Sequence, residues 1–341
     1  MSADRSRLAD LLAAFWKQTI VLLGDFVADE FVFGDISRVS REAPVLILHH
    51  RETQLLPGGG ANAANNLADL GACVLPVAAV GDDAPGRALL EYFRAKRMDT
   101  SGIVRVSGWA TPTKSRYLAG WTHTTSQQVL RVDREPSGSL PRRAQAAILH
   151  KARERARRAQ TLLVSDYGYG VVTPELVRQL RRASPKRLIT LDSRYALLDY
   201  REAGVTAATP NEPELEALHH ACIGNDREAL ERLARRTLRQ MKLQALVVTR
   251  GKDGMAVFER GRKPYYISIY GTDQVADVTG AGDTVIAVFT LALAAGATFV
   301  EAAHLANYAG GIVVMKRGTA SLARDDLLAA IRTSTIGLPA G

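Results

Sequence analysis

Cysteine is nearly absent: the 341 residues include only Cys73 and Cys222. The two are distant, and no C-x-x-C or Cys/His cluster accompanies them. That excludes a disulfide framework, argues against a structural zinc, and fits a reducing cytoplasm. Long apolar runs are missing too. The longest, Val285 to Ala297, is too short to span a bilayer and reads as a buried helix. The first residues, Met1 to Gln18, set Asp4 and Asp10 among Leu8, Leu11, Leu12 and Phe15. They read as an amphipathic helix without the unbroken apolar core of a signal peptide. There is no internal repeat and no low-complexity segment. Acid is scarce relative to base, and the formal net charge is +9. Seven basic residues and one acid lie between Arg142 and Arg158. No aromatics or nucleic-acid motif accompany that run, so it reads as the solvated face of a helix rather than a nucleic-acid surface. A basic chain also suits an enzyme with anionic substrates.

What is present begins with Asp277-Val278-Thr279-Gly280-Ala281-Gly282-Asp283-Thr284. Small residues before a helix let backbone N–H groups point outward. With the helix dipole they make a cradle for a phosphate or a developing oxyanion. An acid inside such a cradle costs electrostatic energy. A base that takes a proton from a hydroxyl beside a transferring phosphoryl group explains it. A helix N-cap with glycines for a tight turn would explain a lone G-x-G-D. The flanking Asp277, Thr279 and Thr284 favour catalysis.

Thr19 to Gly24 reads as a buried strand, with Asp25 and Asp29 just after it, where α/β sheets bind ligands. Asp25 reads equally as a turn residue. Val45 to His50 is strand-like, and the adjacent His49 and His50 point to opposite sides, which suits no shared metal. Pro57 to Asn66 sets three glycines before a helix of small residues. The glycines let a ligand approach the backbone, and Asn62 offers a donor and an acceptor to a sugar hydroxyl. The stretch lacks the full dinucleotide fingerprint, which speaks against an oxidoreductase. Thr111 to Leu118 and Gln127 to Asp133 look like two strands. Their Lys114, Arg116 and Arg131 read equally as contacts to an anion or as exposed strand charges. From Arg142 onward, apolar runs ending at Asp166, Asp192, Asn211 and Thr249-Arg250-Gly251 alternate with helices, the mark of a parallel sheet with functional loops on one edge. Asn211 and Glu214 are spaced to share a helical face. A helix-start Glu favoured by the dipole would also explain Glu214.

The stretches Asp277 to Thr284 and Pro57 to Asn66 resemble the two signatures of the ribokinase-like (PfkB) carbohydrate kinases. The resemblance runs from about Thr19 to Ala330. It implies a doubly wound, mostly parallel α/β sheet with a small β-sheet lid. The expected core is residues 1–30, 53–110 and 134–335, the lid 31–52 and 111–133, and the tail 336–341. It implies ATP and Mg²⁺, with Asp283 as general base and Gly280, Ala281 and Gly282 neutralising phosphoryl charge. Asp29, Gly58, Gly59 and Asn62 match the sugar site, with Asp166 and Asp192 at the same edge. Asn211 and Glu214 match the Asn-x-x-Glu element that holds the magnesium–phosphate water network, so Glu214 acts on the metal through water. Thr249 and Gly251 match the turn over the nucleotide phosphates, and Asn307 with Gly318 the adenine-side wall. Asp277, Thr279 and Gly318 correspond to a monovalent-cation site of some relatives. Lid strands in relatives often pair, which implies a homodimer.

Within the family, Ser37-Arg38-Val39-Ser40 with Glu42-Ala43-Pro44 resembles the heptose-phosphate kinases. Gln127 to Arg131, Ser165-Asp166-Tyr167 and Thr209-Pro210-Asn211 resemble them too. That implies phosphorylation at C1 of D-glycero-D-manno-heptose 7-phosphate, for ADP-heptose and lipopolysaccharide core synthesis. Three departures touch basic residues. The expected Lys is replaced at Tyr169, Asp-Pro-Lys reads Asp192-Ser193-Arg194, and Ala119 to Ser126 is longer and lacks an Arg. The phosphate contact is therefore expected from Arg38, Lys114, Arg116, Arg131 or Arg194. The alternatives are a family kinase for another sugar or sugar phosphate, and a non-catalytic sugar or nucleotide sensor, against which an intact Asp283 speaks.

Overall fold

The computed structural model describes residues 4–120, 127–271, 277–316 and 322–334. Its strands are β1 (Thr19–Gly24), β2 (Phe26–Val39), β3 (Leu46–Gly59), β4 (Cys73–Gly81), β5 (Ile103–Val106), β6 (Thr113–Gly120) and β7 (Gln127–Arg134), followed by β8 (Thr161–Asp166), β9 (Leu188–Ser193), β10 (Ala207–Ala208), β11 (Ala245–Thr249), β12 (Met255–Glu259) and β13 (Tyr265–Ile267). Its helices are α1 (Arg5–Ala13), α2 (Gly60–Asp69), α3 (Ala84–Ala95), α4 (Arg142–Ala156), α5 (Pro174–Ala183), α6 (Glu212–His219), α7 (Arg227–Gln240), α8 (Ala281–Ala294), α9 (Phe299–Val314) and α10 (Arg324–Thr333).

Nine strands form one sheet in the order β13-β12-β11-β10-β9-β8-β1-β4-β5. It is parallel from β11 to β5, and β12 and β13 run antiparallel at one edge. β1 lies inside the sheet between β4 and β8, and its side chains alternate between two cores. Ile20 and Leu22 join the core under α1, α2, α3, α8, α9 and α10. Val21 and Leu23 join the core under α4, α5, α6 and α7. Burial on both faces is why this strand reads as an unbroken apolar run. Helices on both faces also let the C-terminal ends of the parallel strands share one edge.

The second sheet has four strands in the order β3-β2-β6-β7. β2 pairs with β3 from Phe26↔Gly59 out to Val39↔Leu46, so its ladder starts below the expected span 31–52. Register fixes its inner face. Asp29, Lys114 and Asp133 lie in one row across β2, β6 and β7, and Phe31, Arg116 and Arg131 in the next. Side chains two apart share a face, so both rows face the same way.

Three local expectations change. The strand expected over 205–209 shortens to β10, because Pro210 contributes no N–H; pairing resumes only as the bridge Asn211↔Thr249. β12 and β13 extend the sheet where no strand was expected. Arg155 does not lie on a solvated helix face: it is 1% exposed and its Nη1 donates to Asp99.

Candidate active site

Asp283 sits in the first turn of α8, whose N-cap Gly280 has φ 77° and ψ 5°. A side chain there would be strained, so glycine makes this entry possible. Among the described residues no side chain caps the helix, so first-turn N–H groups are left for an external acceptor. Ala281 N–H turns back to Val278 O at 3.3 Å. A Cβ at Gly282 would meet no described residue outside its own helix within 4 Å. The Asp283 carboxylate is 3% exposed. Tyr167 OH donates to its Oδ1 at 2.8 Å and Asn62 Nδ2 to its Oδ2 at 3.2 Å. Burial pushes its pKa up to about 7; the bonds from Tyr167 and Asn62 oppose that, the charge of Asp29 adds to it, and Lys114 opposes it. Asn62 Nδ2 also reaches Gly280 O at 3.2 Å, and Asn66 Nδ2 holds Asn62 Oδ1 at 3.0 Å.

Across from Asp283, Arg116 Nη1 donates to Asp29 Oδ1 at 2.6 Å, a buried ion pair. β3 passes so close that a Cβ at Gly58 would lie 2.7 Å from Asp29 Cγ. Arg131 grips Asp133 with two bonds, at 2.8 Å and 2.7 Å. Lys114 lies 5.3 Å above the Tyr167 ring. Among the described residues it has no acid within ion-pair distance. Burial lowers its pKa first, then the charge of Arg194, while Asp29 opposes the fall and Arg116 and Arg131 add to it. Four cations thus crowd one partly buried place. Arg38 is not among them. It lies on the exposed end of β2, nine residues past Asp29 and roughly 30 Å along the strand.

Further along the edge, Asn211 caps α6 and forms a capping box with Glu214: Asn211 Oδ1 accepts from Glu214 N at 2.7 Å, and Glu214 Oε2 accepts from Asn211 N at 2.9 Å. Asn211 is therefore the cap of the helix rather than a residue on its face. Burial raises the Glu214 pKa, and Arg194 opposes the rise. The Asp192 pKa is raised well above normal by burial, then by the charges of Glu214, Asp283 and Asp166. Asp166 is turned to its own loop, accepting from Gly168 N at 2.9 Å, Ser193 Oγ at 3.1 Å and Tyr200 OH at 2.8 Å. Thr249 N donates to Pro210 O at 3.0 Å, which brings the Thr249–Gly251 turn beside Asn211. Asn307 Nδ2 donates to Ser268 O at 2.9 Å, and Asp277 Oδ1 accepts from Thr279 N at 2.8 Å. Gly318 lies outside the described residues.

Residues 20–326 match the profile of the pfkB family carbohydrate kinases. The chain belongs to this family. It is accordingly a phosphotransferase that acts on an alcohol group of a sugar. The chain is 36% identical over 329 residues to a Bifunctional protein HldE of Geobacter sulfurreducens, covering 96% of this chain and 66% of that one. It is 38% identical over 326 residues to a Bifunctional protein HldE of Mesorhizobium japonicum, covering 94% and 63%. The chain thus spans just under two thirds of the length of these relatives. Its fold is similar to that of Arabidopsis thaliana ribokinase complexed with ribose and ATP, at 20% identity, TM-score 0.70 and coverage of 93% and 99%. It is likewise similar to Escherichia coli phosphofructokinase-2 in complex with potassium, at 20% identity, TM-score 0.74 and coverage of 92% and 98%. The ribokinase-like architecture expected from the sequence is the one observed.

Two residues at this candidate site were given no role there from sequence, and a third, Asp25, was left open between a ligand role and a turn. Tyr167 reaches Asp283, and Asn66 holds Asn62. Asp25, read equally as a turn residue, accepts from the backbone N–H groups of Tyr167, Tyr169 and Val171 at 2.8, 3.1 and 3.1 Å. The available signal was the position of Tyr167 directly after a strand-ending Asp. The direction of a side chain from a loop is not written in that position.

Proposed function

We propose that this family member transfers the γ-phosphoryl group of ATP to C1 of a phosphorylated sugar, with D-glycero-D-manno-heptose 7-phosphate as first choice and a related hexose or heptose phosphate as second. The observation that carries the reading is the buried carboxylate of Asp283, set in an uncapped helix start and facing the Asp29–Lys114 side of the lid. Asp283 takes the proton of the acceptor hydroxyl. The sugar oxygen forms a bond to the γ-phosphorus, the bond from that phosphorus to its bridging oxygen breaks, and ADP leaves with the electron pair. A base with a pKa of about 7 is matched to this task near neutral pH. The Gly282 backbone, crowded by no described residue outside its own helix, is the proposed partner of the phosphoryl oxygens, together with the Gly280–Ala281 turn.

Asp29, Gly58, Gly59 and Asn62 are the proposed sugar contacts. Lys114, which forms no ion pair among the described residues although Asp29 and Asp133 flank it across the strands, is the proposed anchor of the substrate phosphate, with Arg116, Arg131 and Arg194 adding charge around it. Arg38 is not brought there within one chain. Asp166 and Asp192 line the same edge, and Thr249, Gly251 and Asn307 are the proposed nucleotide contacts. Asp192 and Glu214 repel one another, with Arg194 as the nearby cation. That pair fits Mg²⁺, which prefers few carboxylates and completes its shell with water and phosphate. When bound, Mg²⁺ neutralises phosphate charge; Glu214 would hold it through water. For the monovalent-cation site, Asp277 and Thr279 are the described members.

The remaining proposals concern assembly and place. The lid leaves Val39, Val45, Leu46, Leu130 and Val132 exposed, which supports a homodimer formed through it. We take residues 31–52 and 111–133 as that lid unit. Cys73 and Cys222 are exposed free thiols, which supports a cytoplasmic location. No helix among the described residues is long and apolar enough to cross a membrane.

The test compares kcat/KM for heptose 7-phosphate with that for the unphosphorylated heptose by ADP release. Loss of charge-assisted bonds to the phosphate lowers it about ten- to a hundredfold, from roughly 1.5–3 kcal/mol. Equal use of both sugars removes the phosphate pocket and leaves a general sugar kinase.

A further inference from the structure

Tyr167 stands between the two halves of the site. Its hydroxyl donates to Asp283 Oδ1 at 2.8 Å. Its ring lies under the Lys114 ammonium at 5.3 Å. Its backbone is not free to wander: Tyr167 N–H donates to Asp25 Oδ2 at 2.8 Å, and the same carboxylate holds Tyr169 and Val171. Asp25 is fully buried at the end of β1. A buried carboxylate that spends three acceptor bonds on one loop fixes the loop, and with it the direction of Tyr167.

The other ligand of Asp283, Asn62, is anchored in the same manner by Asn66, whose Oδ1 accepts from Leu322 N at 3.2 Å. The Asp283 carboxylate is thus clamped from two sides by neutral donors, each fixed from behind. Neutral donors suit the need. A cation so close would drain the basicity required for proton transfer, whereas a carboxylate left alone in this burial would be protonated.

We propose that Tyr167 is a positioning residue for phosphoryl transfer: its hydroxyl fixes the orientation of the Asp283 carboxylate and stabilises its charge. This rests on the reading of Asp283 as the base. The charged and titratable groups around the pair are Asp29 from β2, Lys114 from β6 and Asp192 from the end of β9; α2 contributes the neutral Asn62. None of them is altered by removing the Tyr167 hydroxyl. The sign is therefore fixed: without that donor the Asp283 carboxyl holds its proton to higher pH, and the acid limb of kcat moves up.

The test is Tyr167→Phe, with kcat measured at saturating ATP and sugar phosphate from about pH 5.5 to about pH 9.5. The same substrate is used throughout, so its own titration is common to both enzymes. The acid limb is expected to rise by roughly one pH unit. At low pH kcat falls about tenfold; at high pH it recovers to within about threefold, and KM for the sugar changes less than about threefold. A side chain that only packs would lower kcat equally at all pH values. Site-specific 3-fluorotyrosine at position 167 keeps the ring and strengthens the donor, so it moves the limb down; it also serves if Tyr167→Phe fails to fold. An unmoved limb in both variants overturns the proposal. Asp283→Asn, assayed beside them, separates the two readings. If it is inactive while the limbs stay put, only the role of Tyr167 falls; if it turns over normally, the base falls and the role of Tyr167 with it.

Discussion

Gly58→Ala is the most direct way to disturb the sugar site without touching a functional side chain. Gly58 is outside the left-handed backbone region, so alanine fits its backbone. The obstacle is Asp29. The new Cβ would lie 2.7 Å from Asp29 Cγ, whereas ordinary contacts begin at 3.4 Å. Asp29 Oδ2 would lie closer still, so the carboxylate must retreat by at least about 0.7 Å. It cannot do so freely, because it is 4% exposed and bonded to Arg116 at 2.6 Å. A shift of that size along the bond takes it beyond the usual hydrogen-bond range of about 3.2 Å. Losing a charge-assisted bond costs roughly 1.5–3 kcal/mol, and crowding a packed site costs about 1–3 kcal/mol of stability. The expected outcome is a fall in kcat/KM for the sugar of about ten- to a hundredfold, carried mainly by KM, with KM for ATP changed less than about twofold. Steady-state kinetics with each substrate varied, beside a thermal melt, measures all three. If the variant uses its sugar with wild-type KM, Asp29 does not hold the sugar at that place.

Two further substitutions probe the nucleotide side. Gly282→Ala places a methyl where no described residue outside its own helix lies within 4 Å, so the fold should be unharmed or gain up to about 1 kcal/mol in helix propensity, while turnover falls because the methyl occupies the phosphoryl path; a melt and a kcat measurement separate the two, and full activity would move the phosphoryl group elsewhere. Glu214→Gln should raise the Mg²⁺ concentration needed for half-maximal rate more than it changes KM for the sugar, since the amide cannot attract the metal's water shell. An unchanged metal requirement would remove Glu214 from the site.

What could be read from the chain follows from how local each signal is. Asp283 was legible because a glycine pair, an acid and a long apolar helix are neighbours in sequence, and the helix start alone sets their geometry. The edge of the parallel sheet was legible because the apolar runs before Asp166, Asp192, Asn211 and Thr249 give way to polar residues. The Asp29–Arg116 pair was not: the partners are 87 residues apart, and only the β2–β6 register joins them. Arg38 shows the converse. Its lid sequence resembles that of the heptose-phosphate kinases, yet distance along β2 keeps it from Asp29 within one chain. Asn211 and Glu214 kept their spacing but changed meaning. The Asn opens the helix as its cap, and the reciprocal bonds of the capping box set the direction of the Glu. Tyr167 was hidden for another reason, since its aim depends on three backbone bonds to Asp25, a residue that read equally as part of a turn.

The buried carboxylate at the start of α8 is proposed to accept the proton as the phosphoryl group moves. Single-turnover and steady-state rates of Asp283→Asn test it, because the amide keeps the shape and removes the basicity. The expected result is a fall in kcat on the order of 10²–10⁴-fold while ATP still binds with near wild-type affinity. Turnover within a few-fold of wild type would contradict it.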